Sequence, residues 1–144
     1  MKTEVIAAVM AFMAFGLVSC DDSRTLRSDV AEEVRMYSGE FSVDHWTKVS
    51  ERDGTNQYYK HDIKCHEIDY DVLRGGQINC YLYTGTDSQV PLPCVRHYEN
   101  GNGDRWTRTI DCEYWHGGLT IFVTDSDFAG SVPEPMSFRV MVSW

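Results

Sequence analysis

The 144-residue chain reads as an all-β protein: an antiparallel β-sandwich of about seven strands with one short helix near 69–74, preceded by a signal peptide and a flexible tether. Three observations predict this. From Gln77 onward, apolar residues recur at every second position in several short runs, the spacing of a half-buried strand. Turn residues (Gly, Asn, Asp, Pro) separate the runs. No stretch after the first twenty residues keeps apolar residues at helical spacing for long, which removes the helix-rich classes. The expected organisation is a signal peptide over 1–19, a tether over 20–33 and a β-sandwich domain over 34–144.

In chain order, Lys2 and the amino terminus form a weakly basic start, partly offset by Glu4, and Val5 to Val18 is apolar. That run is short of the ~20 residues that cross a bilayer as a helix, so it reads as a removable signal. Leu17, Val18, Ser19 and Cys20 close it. They resemble the lipobox of bacterial lipoproteins, which implies cleavage between Ser19 and Cys20 after a diacylglycerol thioether has formed on the Cys20 sulfur. The slim Ser19 admits the peptidase, and only a thiol carries the thioether. Burying acyl chains at about 0.8 kcal/mol per methylene, with several chains per anchor, gives durable attachment. Asp21 and Asp22 follow at once. In enterobacterial lipoproteins an aspartate here resembles an inner-membrane retention signal, and in Bacteroidetes an acidic cluster resembles a surface-export signal. The expectation is a lipid-anchored envelope protein of the outer membrane, on its outer or periplasmic face.

Asp21 to Glu33 is polar and poor in large apolar residues, as a tether is. Val34 and Met36, then Phe41 and Val43, alternate with polar residues and predict a first strand bulged at Gly39. Asp44, His45 and Trp46 end it, with Trp46 expected in the core or at its rim. A hydrophilic loop over 50–57 carries the turn pair Asp53, Gly54, and Tyr58 to Ile63 predicts a second strand. Asp69 caps a short helix through Leu73 and Arg74, stopped by Gly75 and Gly76 in the left-handed conformation; a strand through Ile68, Tyr70 and Val72 competes. Gln77 to Thr84 sets Ile78, Cys80 and Leu82 on one face. Pro91 and Pro93 favour extended chain at a sheet edge. Leu92 to Tyr98 is the next strand, Asn100 to Gly103 its hairpin connection, and Trp106, Arg108, Ile110, Cys112 and Tyr114 face inward on the return. After a turn at His116, Gly117 and Gly118, Leu119, Ile121 and Val123 form another inward face, and Phe138, Val140, Val142 and Trp144 the last.

The order of Trp46, of Gly76, Gln77, Ile78 leading to Leu82 and Tyr83, of Leu92 and Pro93, of Leu119 to Asp127, and of the terminal Phe138 to Val142 resembles the small β domain of uncharacterised Bacteroidetes lipoproteins. Some of these carry collagen-like repeats between anchor and domain, and this chain has no such stalk. The resemblance implies the sandwich and the anchor, and no reaction.

The formal net charge is -9, from 13 Lys and Arg against 22 Asp and Glu. Such a balance argues against nucleic acid and against a basic membrane-binding patch. If Cys20 carries lipid, Cys65, Cys80, Cys94 and Cys112 remain as an even set in an export compartment where disulfides persist. Cys94 and Cys112 lie on the two arms of the hairpin, and they pair if the register agrees; Cys65 and Cys80 are then the second pair. Buried free thiols are the competing state.

No cofactor motif is present, nor is a P-loop, G-x-S-x-G or H-E-x-x-H. Cys65, His66, Cys94, His97, Cys112 and His116 lack the close pairs of a zinc site. Asn100, Asn102 and Asp104 open like a calcium loop, but Arg105 stands where glycine is needed. Asp125 and Asp127 read as solvated charge. The expected function is therefore a lipid-anchored envelope protein whose domain is a non-catalytic binding or structural module with a protein or glycan partner. A surface glycan-binding module is one alternative, with Trp46, Tyr58, Tyr59, Trp106 and Trp115 as platform aromatics. An acidic inhibitor of a cationic host enzyme is another. A small glycan-active enzyme is a third, which needs two carboxylates about 5 to 9.5 Å apart across a cleft.

Overall fold

The computed structural model describes residues 33–128 and 131–144. Ser19, Cys20 and the tether as far as residue 32 lie outside the described residues. Nine strands and one helix follow in the order β1 (Met36–Val43), β2 (Thr47–Val49), β3 (Tyr58–Lys64), α1 (Tyr70–Gly75), β4 (Gln77–Gly85), β5 (Ser88–Pro91), β6 (Cys94–Glu99), β7 (Arg105–Trp115), β8 (Gly118–Asp125) and β9 (Met136–Ser143). They form a four-stranded sheet, β1-β9-β4-β5, and a five-stranded sheet, β2-β3-β8-β7-β6. Every ladder is antiparallel. The all-β sandwich class is thus correct, with β2 and β5 added to the expected strands. Both are short and polar, so alternation leaves no mark in them.

Alternation fills the space between the sheets. Ile110 contributes from β7, Leu119, Ile121 and Val123 from β8, and Phe138, Val140 and Val142 from β9; all are essentially buried. Phe41 stacks on its cross-strand partner Phe138, with ring centroids 5.6 Å apart. Residues adjacent in sequence face opposite ways in a strand, and one expectation fails on that rule and another at a strand end. Met36 and Phe41 share a face only if Gly39 bulges, but the β1–β9 register runs without a shift. Tyr37, Gly39, Phe41 and Val43 therefore alternate inward and Met36 stays outside. Gly39 leaves room for the Tyr37 ring, whose hydroxyl end lies where a Cβ would stand. Trp144 lies beyond the end of β9 and is more than a third exposed.

The segment after β3 resolves in favour of the helix. Asp69 caps it, its carboxylate accepting from the backbone N–H groups of Asp71 and Val72 at 2.9 Å each, which satisfies donors the helix leaves open. Ile68 and Val72 are buried and plug this end of the sandwich. Gly76 stops the helix at φ -84, not in the left-handed region. A Cβ there meets the Ser143 carbonyl at 2.7 Å and Val72 at 3.0 Å, so close backbone approach is what requires glycine. At Gly117 (φ 92) and Gly103 (φ 85) the turn itself demands positive φ.

Phe138→Ala removes the largest fully buried side chain, and urea denaturation should show unfolding free energy falling by about 3–5 kcal/mol. Val95→Ala, on the exposed face of β6, should stay within about 0.5 kcal/mol of the parent.

Candidate ligand-binding site

The end of the sandwich opposite the helix is open. Arg96↔Arg108, Tyr98↔Trp106 and Arg108↔Asp125 are cross-strand partners of β6, β7 and β8, so these side chains continue the inward row that Cys94 and Ile110 begin. The row turns from apolar to charged and aromatic at this point. A cleft of about 540 Å³ opens here, lined by Leu82 and Ile110 at its apolar side, Arg96, His97 and Tyr98 from β6, and the 134–137 segment leading into β9. A second of about 490 Å³ adjoins it through His97 and Tyr98 and runs along Trp106 to Ser126.

Tyr98 and Trp106 stand at the junction. Their rings are 5.5 Å apart and 13° from parallel, and each is only partly buried. The Arg108 guanidinium lies 5.3 Å from the Tyr98 ring centroid. It is fixed by Asp125 in a two-point pair, Nε to Oδ1 at 2.7 Å and Nη2 to Oδ2 at 2.9 Å, and both residues are buried. The hydrogen bonds that Asp125 accepts raise the Arg108 pKa further. Arg96, opposite Arg108, has no carboxylate partner among the described residues. The paired and the unpaired arginine thus lie side by side, one neutralised and one presenting its charge to the cleft.

Two contacts hold the lips of the cleft. Trp46 donates its indole N–H to the Glu134 carbonyl at 3.4 Å, which ties the β1–β2 connection to the 134–137 segment. On the other lip Tyr83 donates its hydroxyl to Glu40, and that hydrogen bond raises the Tyr83 phenol pKa. The Asn100–Gly103 connection folds on itself, the Asn100 side chain accepting from the N–H groups of Asn102 and Asp104 at 2.9 Å each. It is a turn, as expected.

The expected platform aromatics do not share one surface. Tyr59 is buried in the core and is no platform residue, because it occupies the inward phase of β3 and its neighbour Tyr58 the outward one. Tyr58 packs against Phe122 at 6.0 Å. Trp115 lies over Gly118, where a Cβ meets its ring, and its N–H donates to the Thr120 hydroxyl at 3.1 Å. Trp46 meets His61 edge-on at 6.3 Å. Trp106 alone of the five lines the clefts, and its partner Tyr98 was not among them.

None of the four described cysteines is bridged in this structure. The hairpin register sets Ile110, not Cys112, opposite Cys94, so the expected Cys94–Cys112 pairing misses by two residues. Cys65 hydrogen-bonds Glu67 at 3.4 Å, and burial first, then that bond, push its pKa to about 11. Among the described residues no three His, Cys, Asp or Glu side chains converge as metal ligands. No family model, curated protein or solved structure matches this chain.

Asp125→Ala leaves the Arg108 charge buried without its partner and should cost about 3–5 kcal/mol. Adding Arg108→Met to that variant should recover much of the loss, a non-additivity that a double-mutant cycle of denaturation curves measures.

Proposed function

We propose that this chain is a lipid-anchored envelope protein of the outer membrane, and that its sandwich is a non-catalytic module binding a glycan at the open end. The single observation that carries the ligand class is the near-parallel Tyr98–Trp106 pair where two clefts meet. The negative face of an aromatic ring attracts the weakly positive C–H edges of a sugar, and partly buried aromatics in a shallow groove with a few fixed polar groups suit a ligand of many hydroxyls. Arg96 favours a sugar bearing a carboxylate, which a guanidinium can grip at two points.

The anchor rests on Leu17 to Cys20 and on the resemblance to small Bacteroidetes lipoproteins. The non-catalytic reading draws support from how the nearby acids are engaged. Asp125 is held by Arg108, and Glu99 by Arg105 at 2.6 Å, which leaves Glu134 as the one acid lining the first cleft and not the pair of free carboxylates that a glycosidase needs.

The glycan reading is checked by retention on immobilised polygalacturonate and on neutral dextran. A chain of net charge -9 is repelled by a polyanion at long range, so retention on the acidic polymer requires specific contacts. The intact chain should bind it, Trp106→Ala should weaken binding by about tenfold or more, and Arg96→Gln should weaken the acidic polymer selectively. Failure of the intact chain to bind either polymer rejects the glycan class.

The anchor is checked separately. Cys20→Ala should give an unlipidated precursor that no longer sediments with membranes, and an unchanged membrane partition defeats that part of the proposal.

A further inference from the structure

We propose that Cys80 and Cys112 form a disulfide that staples one sheet to the other through the core. Cys80 is buried on β4, opposite Val140 of β9. Cys112 faces inward from β7, opposite Ile121 of β8. The two residues thus belong to different sheets, both face the seam, and their sulfurs interact with one another there. Tyr114 braces the pair: its hydroxyl lies 3.3 Å from the Cys112 sulfur and also interacts with the Cys80 backbone. The other two thiols are engaged elsewhere. Cys65 bonds Glu67, and Cys94 stands opposite Ile110 at the start of β6.

The same geometry assigns the order of reaction. β6 starts at Cys94, opposite Ile110, so Cys112 lies past its end with one flank uncovered and is the more exposed of the two sulfurs. Cys80 lies fully buried, where contact with Cys112 and then burial raise its pKa, whereas Cys112 donates its thiol proton to the Tyr114 hydroxyl at the less covered side. Cys112 is therefore the attacking thiolate. With a disulfide as oxidant, such as oxidised glutathione or an exported dithiol oxidoreductase, Cys112 loses its proton to solvent and attacks one oxidant sulfur; the oxidant S–S bond breaks and a thiolate leaves. Cys80, deprotonated in turn, attacks the Cys112 sulfur of the mixed disulfide and expels the second thiolate. The leaving thiolates take up the two protons. The protein pair is oxidised by two electrons and the oxidant is reduced to two thiols.

The test uses the full chain, folded once under reducing conditions and once with oxidised glutathione, then alkylated and digested with chymotrypsin. Cleavage after Tyr81 and Tyr83 separates Cys80 from Cys94, which a tryptic peptide does not. The expected result is a peptide pair joining Cys80 to Cys112, with Cys65 and Cys94 alkylated. The folding equilibrium constant from urea curves should rise by about 500-fold on oxidation, as for a bridge closing a loop of this length. Cys94→Ser should retain the bridge and the gain. Alkylation of both Cys80 and Cys112 after oxidation, or recovery of a Cys94–Cys112 or Cys65–Cys80 pair instead, overturns the proposal. It depends neither on the lipid at Cys20 nor on the ligand at the cleft, so failure of either leaves it standing.

Discussion

The seam between the two sheets is the constraint from which the remaining features follow. Sheets stacked face to face stand about 10 Å apart, so every inward position must be filled by one apolar side chain meeting another from across the gap. Phe138, Ile110 and Ile121 do this at the centre. The chain also crosses from one sheet to the other at β1–β2, β3–β4, β5–β6 and β8–β9, and at these crossings the sequence becomes specialised. The β3–β4 crossing carries the capped helix and Gly76, where backbone touches backbone. The β5–β6 crossing carries Pro91 and Pro93. The β1–β2 and β8–β9 crossings are joined by the Trp46 hydrogen bond to Glu134.

The two ends of the seam differ because of what these crossings contribute. At the Gly118 end of β8 the helix supplies Ile68 and Val72, and hydrogen bonds link Cys65 to Gly117 and Gly117 to Ile68 at 2.9 and 2.7 Å. Tyr70 stacks on His116 at 4.0 Å over the same corner. At the Asp125 end no helix intervenes, and the inward positions fall to Arg96, Arg108, Asp125, Tyr98 and Trp106. A buried arginine and carboxylate contribute little net stability when paired, but they specify where each partner sits. The pair therefore ends the apolar seam without closing it, and sets the Arg108 guanidinium against the Tyr98 ring.

Alternation made most of this legible from residues alone, since period two marks the inward faces of β4, β7, β8 and β9 directly. What alternation cannot supply is register. The sum of partner positions across the β6–β7 hairpin is set by the turn, in which the Asn100 side chain gathers Asn102 and Asp104. That choice sets Tyr98 beside Trp106 and Cys94 beside Ile110, and a turn differing in register would have set Cys94 against Cys112. Tyr98 went unnoticed because its role exists only once it is paired. Phase errors arose likewise where one residue decides a face: Gly39, read as a bulge, in fact clears space for Tyr37, and of the adjacent Tyr58 and Tyr59 only one can face out. Strands as short as β2 and β5 offer too few alternations to register at all.

Charge adds a further layer to the proposed binding end. The surface is acid-rich, and at physiological ionic strength its repulsion of an anion decays over about 8 Å. Within that distance an approaching carboxylate meets Arg96, whose neighbour Arg108 is already neutralised by Asp125. Long-range repulsion and short-range attraction therefore act on different parts of the approach. A polyanion without a group that fits against Tyr98 and Trp106 experiences mainly the first, whereas an acidic sugar seated on the rings gains the second in a partly desolvated groove, where a charge-assisted hydrogen bond is strongest. Selectivity in this arrangement comes from the unpaired arginine lying beside the aromatic pair, inside a body whose overall field discourages the same ligand from binding anywhere else.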